Sequence, residues 1–238
     1  MLRTALICIV LVTAASAALA EPAARLVAPP GRAIKVAFVV TDSANVMDLA
    51  GPWEAFQDAG VATSGTAGEG NPPFELYVVS ETKAPVEMTA GMNILPHYTF
   101  ADAPAPDIVV VGAQKGSDSL VPWLRAQYAQ GHIIMSVCTG AFKLAAAGLL
   151  DGKRATTHHE YFKSFAERFP KVTLVPGNRF VQSDARIYTA GGLTSGVDLA
   201  LHIIALYFGD EAAARTANYM EYSGQGWRQP EGASPTGT

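Results

Sequence analysis

Cysteine and charge are both scarce in this sequence. It holds two cysteines in 238 residues, and 16% of its residues are charged. The 17 lysine and arginine residues face 21 aspartate and glutamate residues, so the formal net charge is −4. Without a basic excess there is no electrostatic case for nucleic acid or an anionic membrane as a partner. The composition favours a small neutral or polar ligand, and its 49% hydrophobic residues suit the core of one globular domain.

The apolar run at the N-terminus is too short to span a bilayer. It covers residues 5–15, follows Arg3, and leads to an Ala-Leu-Ala sequence at 18–20, the small-x-small pattern that signal peptidase cleaves. We therefore predict a signal peptide over 1–20, cleaved after Ala20. The expected product is periplasmic or secreted and has no membrane association after cleavage. An uncleaved anchor or a buried helix is the alternative.

Signal cleavage removes Cys8 and leaves Cys138 as the remaining cysteine. No intrachain disulfide can then form, although exported proteins meet oxidising conditions. Cys138 is either buried and inert or retained for its chemistry, and composition leaves both readings open.

Strand patterns alternate with helix patterns along the chain. A linker is predicted over 21–32, a single domain over 33–228 and a disordered tail over 229–238. The predicted strands are 33–41, 74–80, 107–112, 133–137 and 155–157, the predicted helices are 48–59, 121–130, 140–149, 161–169 and 195–206, and a hairpin is predicted over 172–188. The alternation predicts an α/β fold, a single doubly wound, mostly parallel sheet with helices on both faces. Ligands bind such sheets at the carboxyl ends of the strands, where Cys138 falls.

Cys138 stands between a buried strand pattern and a helix pattern. A nucleophile at such a sharp turn projects above the sheet, and the small residues that follow, Gly140 among them, let the turn close. The N-terminus of the next helix is expected to favour the thiolate, to lower the pKa of Cys138 and to make it react quickly with alkylating agents. The N–H of Thr139 is placed to stabilise developing negative charge. A structural buried cysteine is the alternative.

Four segments carry a family resemblance. They are MDLAGPWEAF at 47–56, SVCTGAF at 136–142, AAGLLDGKRATTH at 146–158 and GGLTSGVDLAL at 191–201. Together they resemble the ThiJ/PfpI superfamily, whose flavodoxin-like domain is similar to class I glutamine amidotransferases. The match is closest to the isonitrile hydratase branch and to the amidotransferase-like domains of AraC-type regulators.

The resemblance implies roles for particular residues. Asp48 matches a carboxyl group beside the cysteine, although a helix N-cap is the alternative reading. His158 matches a histidine near the nucleophile, with a hydrogen-bonding residue at a strand end as the alternative. Relatives carry Pro-Gly-Gly where this chain has Val-Gly-Ala-Gln, so Gly112 and Ala113 are the expected oxyanion-loop residues. The adjacent histidines at 158 and 159 have poor spacing for a metal, and no metal site is predicted.

By resemblance, the expected activity is that of an isonitrile-hydratase-like lyase, with Cys138 as nucleophile and no cofactor. A second reading is an exported, non-catalytic module that binds a ligand or senses thiol oxidation, and a third is a peptidase or glyoxalase-type enzyme. The sequence ends soon after Tyr222, so no DNA-binding domain is expected. A small-molecule substrate is the expected partner, and a homodimer is compatible with the resemblance.

Overall fold

In a computed structural model, which describes residues 25–64 and 72–228, the strands predicted over 33–41, 74–80, 107–112 and 133–137 lie in one central sheet. The strand predicted over 155–157 is instead part of a small separate sheet. In chain order the strands are β1 (Ile34–Val39), β2 (Phe74–Ser80), β3 (Val86–Glu87), β4 (Asn93–Ile94), β5 (Tyr98–Thr99), β6 (Ile108–Val111), β7 (Ile133–Ser136), β8 (Arg154–Ala155), β9 (Thr173–Leu174), β10 (Phe180–Gln182) and β11 (Ile187–Ala190). The α-helices are α1 (Val46–Ser64), α2 (Leu120–Ala129), α3 (Gly140–Ala146), α4 (Phe162–Arg168), α5 (Ser195–Phe208) and α6 (Asp210–Tyr219). Short 3₁₀ turns cover Thr89–Gly91, His159–Tyr161 and Gly226–Arg228.

The main sheet has the strand order β10-β11-β7-β6-β1-β2-β5. Its neighbours pair in parallel except β10, which is antiparallel to β11. Two small sheets lie beside it, an antiparallel β3-β4 pair and a parallel β8-β9 pair. The architecture confirms the predicted doubly wound, mostly parallel α/β fold.

Alternate residues of the central strands point to opposite faces of the sheet and pack in two separate cores, as the two-residue period of a strand requires. Val36 and Phe38 of β1 pack in one cluster with the buried residues of α1, α5 and α6. Ala37 and Val39 pack in another cluster with those of α2, α3 and α4. Both faces of the sheet are therefore covered by helices.

The chain reverses its direction of winding at β1. The next long strand, β2, pairs on one side of β1, while β6, β7 and β11 extend the sheet on the other side. Crevices form at such a switch point outside the carboxyl ends of the strands. The segments that follow β1, β6, β7 and β11 all begin at this edge, which makes it the place for a site.

Three details of the sequence interpretation need correction. The predicted hairpin over 172–188 is only partly present, because β9 pairs with β8 and only β10 and β11 form the antiparallel pair. Helix α6 was not predicted. Helix α1 begins at Val46 rather than residue 48 and contains Pro52.

The N-terminal and C-terminal predictions are only partly covered by the structure. Residues 1–20 and 229–238 lie outside the described residues, so the signal peptide and the tail stay predictions. Within the predicted linker, Leu26 packs against the core and its N–H donates to the carbonyl of Leu206 at 3.0 Å. Among the described helices, none is both long enough and apolar enough to cross a membrane.

Gly140 sets the approach of α3 to the end of β6. A methyl group added at Gly140 would lie 2.0 Å from the carbonyl oxygen of Val111, whereas one at Gly148 would meet nothing within 4 Å. We expect Gly140→Ala to destabilise the fold by about 3 kcal/mol or more, because a backbone atom must move. Gly148→Ala serves as the control and is expected to cost about 1 kcal/mol, for its left-handed backbone alone. Urea unfolding measures both, and equal losses would contradict this account.

Candidate active site

Cys138 lies in a strained turn between β7 and α3. Its φ is 56°, in the left-handed region that residues with a side chain rarely adopt. The Cys138 N–H donates to the carbonyl of Gly191 at 2.8 Å, and the Cys138 carbonyl accepts from the hydroxyl of Thr157 at 2.9 Å. These bonds tie the turn to the segment after β11 and to the segment after β8. The predicted strand-to-helix elbow is present, and the side chain is only 6% exposed.

Two backbone N–H groups and one hydroxyl face the sulfur of Cys138. The N–H and hydroxyl groups of Thr139 and the N–H of Leu193 act as hydrogen-bond donors that favour the thiolate. The predicted role of Thr139 towards developing charge stays a prediction. Leu193 was missed, although it belongs to the GGLTSG segment, and its backbone is left-handed with a φ of 48°. Together, these donors are the groups that face charge developing at the sulfur.

Asp48 is a buried acid, and the cap of its helix is another residue. Asn45 caps α1, since its side-chain oxygen accepts from the N–H of Met47 at 2.9 Å and from the N–H of Asp48 at 3.3 Å. The side chain of Asp48 is thereby left to point into the site, where Oδ2 accepts from the N–H of Ala113 at 2.8 Å. Oδ1 is buried without a hydrogen bond of standard geometry among the described residues. The Cys138 thiol and the Leu193 N–H are the groups close enough to interact with this carboxyl.

The loop after β6 positions Asp48. A methyl group at Gly112 would lie 2.7 Å from Cβ of Asp48, so only glycine lets the helix and the loop come this close. The N–H of Ala113, predicted to donate to an oxyanion, instead donates to Asp48. Gly112 and Ala113 position the carboxyl in this structure, Thr139 and Leu193 supply the N–H groups at the sulfur, and the oxyanion role of Gly112 and Ala113 stays a prediction.

Burial raises the pKa values of both side chains, and the charge of Asp48 raises that of Cys138 further. Desolvation raises the pKa of Asp48 to about 6, opposed in part by the N–H groups of Ala113 and Leu193 and by the thiol. Desolvation, and then the negative charge of Asp48, raise the pKa of Cys138 to about 11. The prediction of a lowered Cys138 pKa is wrong for this arrangement, because burial and the charge of Asp48 outweigh the hydrogen-bond donors of Thr139 and Leu193. At neutral pH the pair rests as thiol and carboxylate.

His158 lies beside the site without a contact to the thiol. Its Nδ1 accepts from the N–H of Glu160 at 3.3 Å, which begins the 3₁₀ turn, and its ring stacks on His159 with centroids 4.5 Å apart. The opposite edge of the ring packs on Gly192, where a methyl group would lie 2.2 Å from Cδ2. The alternative reading of His158 as a hydrogen-bonding residue at a strand end describes this contact, and a role towards substrate stays a prediction.

A cavity of about 390 Å³ opens next to the Cys138 turn. Gly191, Gly192 and Leu193 form one wall, and Gly191 and Leu193 also contact the cysteine through the interactions described above. The remaining lining residues are Thr157, His158, His159, Phe162, Gly177, Asn178, Arg179, Thr194 and Ser195. Within the part of the chain that the structure describes, no group of three or more His, Cys, Asp or Glu side chains is arranged to hold a metal.

Known proteins with similar sequences include an enzyme and transcriptional regulators. The model of the DJ-1/PfpI family matches residues 34–206. An isonitrile hydratase of Pseudomonas putida is 30% identical over 197 residues, which are 80% of this chain and 79% of the hydratase. The HTH-type transcriptional regulator GbdR of Pseudomonas aeruginosa is also 30% identical, over 192 residues. The match covers 79% of this chain but only half the length of that regulator.

Solved structures with the same architecture include a ThiJ/PfpI family protein from Pseudomonas syringae. It is 26% identical, with a TM-score of 0.67, over 84% of this chain and 77% of that protein. Oxidised DJ-1 of Toxoplasma gondii is 20% identical, with a TM-score of 0.64, over 81% of this chain and all of that protein. The second likeness is one of fold.

The raised pKa of Asp48 predicts a pH-dependent effect of Asp48→Asn on stability. In the folded protein the carboxyl holds its proton up to about pH 6, against 3.8 for the ordinary group. The stability that this proton contributes is complete below pH 3.8 and lost as the pH rises through 6. The variant has no such loss, so its free energy of unfolding should gain on the wild type by roughly 2 to 3 kcal/mol between pH 4 and pH 7.5.

Urea unfolding at several pH values measures this difference. Asp58→Asn is the control, because Asp58 lies on the same helix and burial also raises its pKa, but to a lesser degree. Between pH 4 and pH 7.5, the free energy of unfolding of Asp58→Asn should gain less on the wild type than that of Asp48→Asn. A difference between Asp48→Asn and wild type that does not change with pH would show that the carboxyl is not held in its neutral form.

Proposed function

The chain belongs to the DJ-1/PfpI family, and on that basis we propose that it is a cysteine-dependent lyase that adds water to an isonitrile. The product is an N-substituted formamide. The observation that carries the proposal is the buried pair of Asp48 and Cys138, in which the carboxyl is the stronger acid. The similarity to the isonitrile hydratase of Pseudomonas putida supports the choice of substrate class.

The resting protonation state suits the first half of the reaction. The Cys138 thiol transfers its proton to the Asp48 carboxylate as the sulfur attacks the terminal carbon of the isonitrile. Asp48 then gives this proton to the same carbon. The new S–C bond and C–H bond make a thioimidate, and Asp48 returns to its carboxylate form. The N–H groups of Thr139 and Leu193 stabilise the sulfur while it carries negative charge.

Water completes the reaction in the second half. Asp48 accepts a proton from water as the water oxygen bonds to the thioimidate carbon, and it passes the proton to the nitrogen. The tetrahedral adduct then loses its C–S bond, and the hydroxyl proton returns to the sulfur through Asp48. One water is consumed, the formamide leaves, and thiol and carboxylate are restored. The cycle uses no oxidant and no cofactor.

A second candidate is a module that binds a ligand without converting it. Two observations favour it: the Cys138 thiol is buried with a raised pKa, and the Ala113 N–H is already bonded to Asp48. Similar domains also form about half of regulators such as GbdR. For either candidate the N-terminal sequence supports export, and we propose that the protein acts outside the cytoplasm.

Turnover by matched variants separates the two candidates. Purified protein should convert an alkyl isonitrile to its formamide, and Cys138→Ala should abolish this because it removes the nucleophile. Asp48→Asn should reduce kcat by on the order of a hundredfold or more, because it cannot carry the proton. The control Asp58→Asn, a buried carboxyl on the same helix, should keep wild-type turnover. Proton NMR of the formyl group measures the product, and folded wild-type protein that is inert towards several isonitriles would favour the binding module.

The pH dependence of kcat/KM tests the role of Asp48 as the initial base. Asp48 must be ionised to accept the thiol proton, so kcat/KM should rise with pH through about 6 and then level off. Activity that falls as the pH rises through 6 would mean that the neutral acid is the active form. The residual activity of Asp48→Asn should show no such rise.

A further inference from the structure

The cavity beside the Cys138 turn has an unequal distribution of charge. Of the described residues that line it, Arg179 is the only lysine or arginine, and none has a carboxyl group. Phe162 and the 39%-exposed side chain of Leu193 give the lining an apolar part. A ligand that matches this lining is a small molecule with an apolar body and an anionic group.

Arg179 is held in a fixed orientation at this cavity. Its Nε donates to Oδ2 of Asp198 at 2.6 Å, and one of its terminal nitrogens donates to the hydroxyl of Thr194 at 3.0 Å. Asp198 is buried on α5, with 1% of its side chain exposed, whereas 36% of the Arg179 side chain is exposed. The negative end of the ion pair is thus buried and the positive end is open. A guanidinium fixed in this way loses little entropy when it binds a planar acceptor such as a carboxylate.

The position of the cavity connects this guanidinium to the candidate nucleophile. Leu193 and Thr194 are neighbours in the chain: the N–H of Leu193 faces the sulfur of Cys138, and the hydroxyl of Thr194 bonds to Arg179. One short turn therefore presents a donor to the thiol and orients the cation.

We propose that this cavity recognises a carboxylate through Arg179. The inference takes the identity of the reacting group, an isonitrile, from the proposed hydratase function. The substrate class is therefore an isonitrile that carries a carboxylate. The carboxylate binds at Arg179 and directs the isonitrile carbon towards Cys138. Asp198 is a positioning residue that holds the guanidinium and has no contact with the substrate.

The test compares two probes that differ in charge and little in shape, isocyanoacetate and isocyanoacetamide. Binding is measured by NMR titration of the Cys138→Ala protein, in which no turnover competes, and kcat/KM is measured with the intact cysteine. We expect isocyanoacetate to bind at least about tenfold more tightly than the neutral amide, the size of one charge-assisted pair of hydrogen bonds. Equal affinities for the two probes would overturn the inference.

Variants assign this preference to Arg179. The double variant Arg179→Gln with Asp198→Asn removes both charges together, so that no unpaired charge stays buried. It should abolish the preference for the anionic probe. Arg179→Lys keeps a cationic partner for Asp198 but loses the planar fork, and it should reduce the preference in part. Arg215→Gln is the control, an arginine outside the cavity that pairs with Glu211, and it should leave the preference unchanged.

The outcomes separate this inference from the proposed function. Preferential binding of isocyanoacetate without turnover would support carboxylate recognition and contradict the hydratase function. Turnover of both probes with equal kcat/KM would support the hydratase function and contradict carboxylate recognition. Circular dichroism shows whether the double variant is folded. If it is unfolded, the preference of the wild-type protein for isocyanoacetate, and the reduction of this preference by Arg179→Lys, still decide the question. If Arg179→Lys retains the full preference, the role of the guanidinium is overturned.

Discussion

The left-handed turn at Cys138 is the constraint on which the arrangement of the site depends. A residue with a side chain adopts this conformation only where its surroundings hold it there. Here Gly191 and Thr157 bond to the N–H and the carbonyl of Cys138 from two other segments of the chain. Gly140 lets the turn close against the carbonyl of Val111. The ends of β6, β7 and β11 therefore meet around the Cys138 turn.

The sequence predicts the part of this arrangement that depends on local pattern. Buried β-branched runs mark the central strands, and the small residues after Cys138 mark the elbow. The family resemblance brings Asp48 to the cysteine. The sequence pattern does not predict that Asn45 caps α1, because Asn and Asp are equally good caps and only the structure shows which one bonds to the helix. That choice frees Asp48 for the site.

Most features that the sequence did not predict depend on contacts between segments that are distant in the chain. The N–H of Leu193 faces the sulfur, and no pattern of side chains signals the left-handed φ of this residue. The direction of the Cys138 pKa shift was wrong because it depends on burial and on the charge of Asp48, ninety positions earlier in the chain. The two-residue strand β9 pairs with β8 for the same kind of reason, since so short a strand is fixed by its tertiary neighbours. Helix α6 is different: its sequence DEAAARTANY, with two acids in the first turn after Gly209, carried a signal that could have been used.

The charges around the site also decide how an anionic substrate would be oriented. At neutral pH Asp48 is a carboxylate with few hydrogen-bond donors, and it repels a second carboxylate brought near Cys138. Arg179, at the other side of the Leu193–Thr194 turn, attracts one. For the proposed substrate both effects favour the same orientation, with the carboxylate at the guanidinium and the uncharged isonitrile end at the thiol. Because that end is neutral, in the proposed reaction it can approach the buried carboxylate and receive the proton that Asp48 takes from the sulfur. The negative charge that raises the pKa of Cys138 would thus also select which end of such a substrate reaches it.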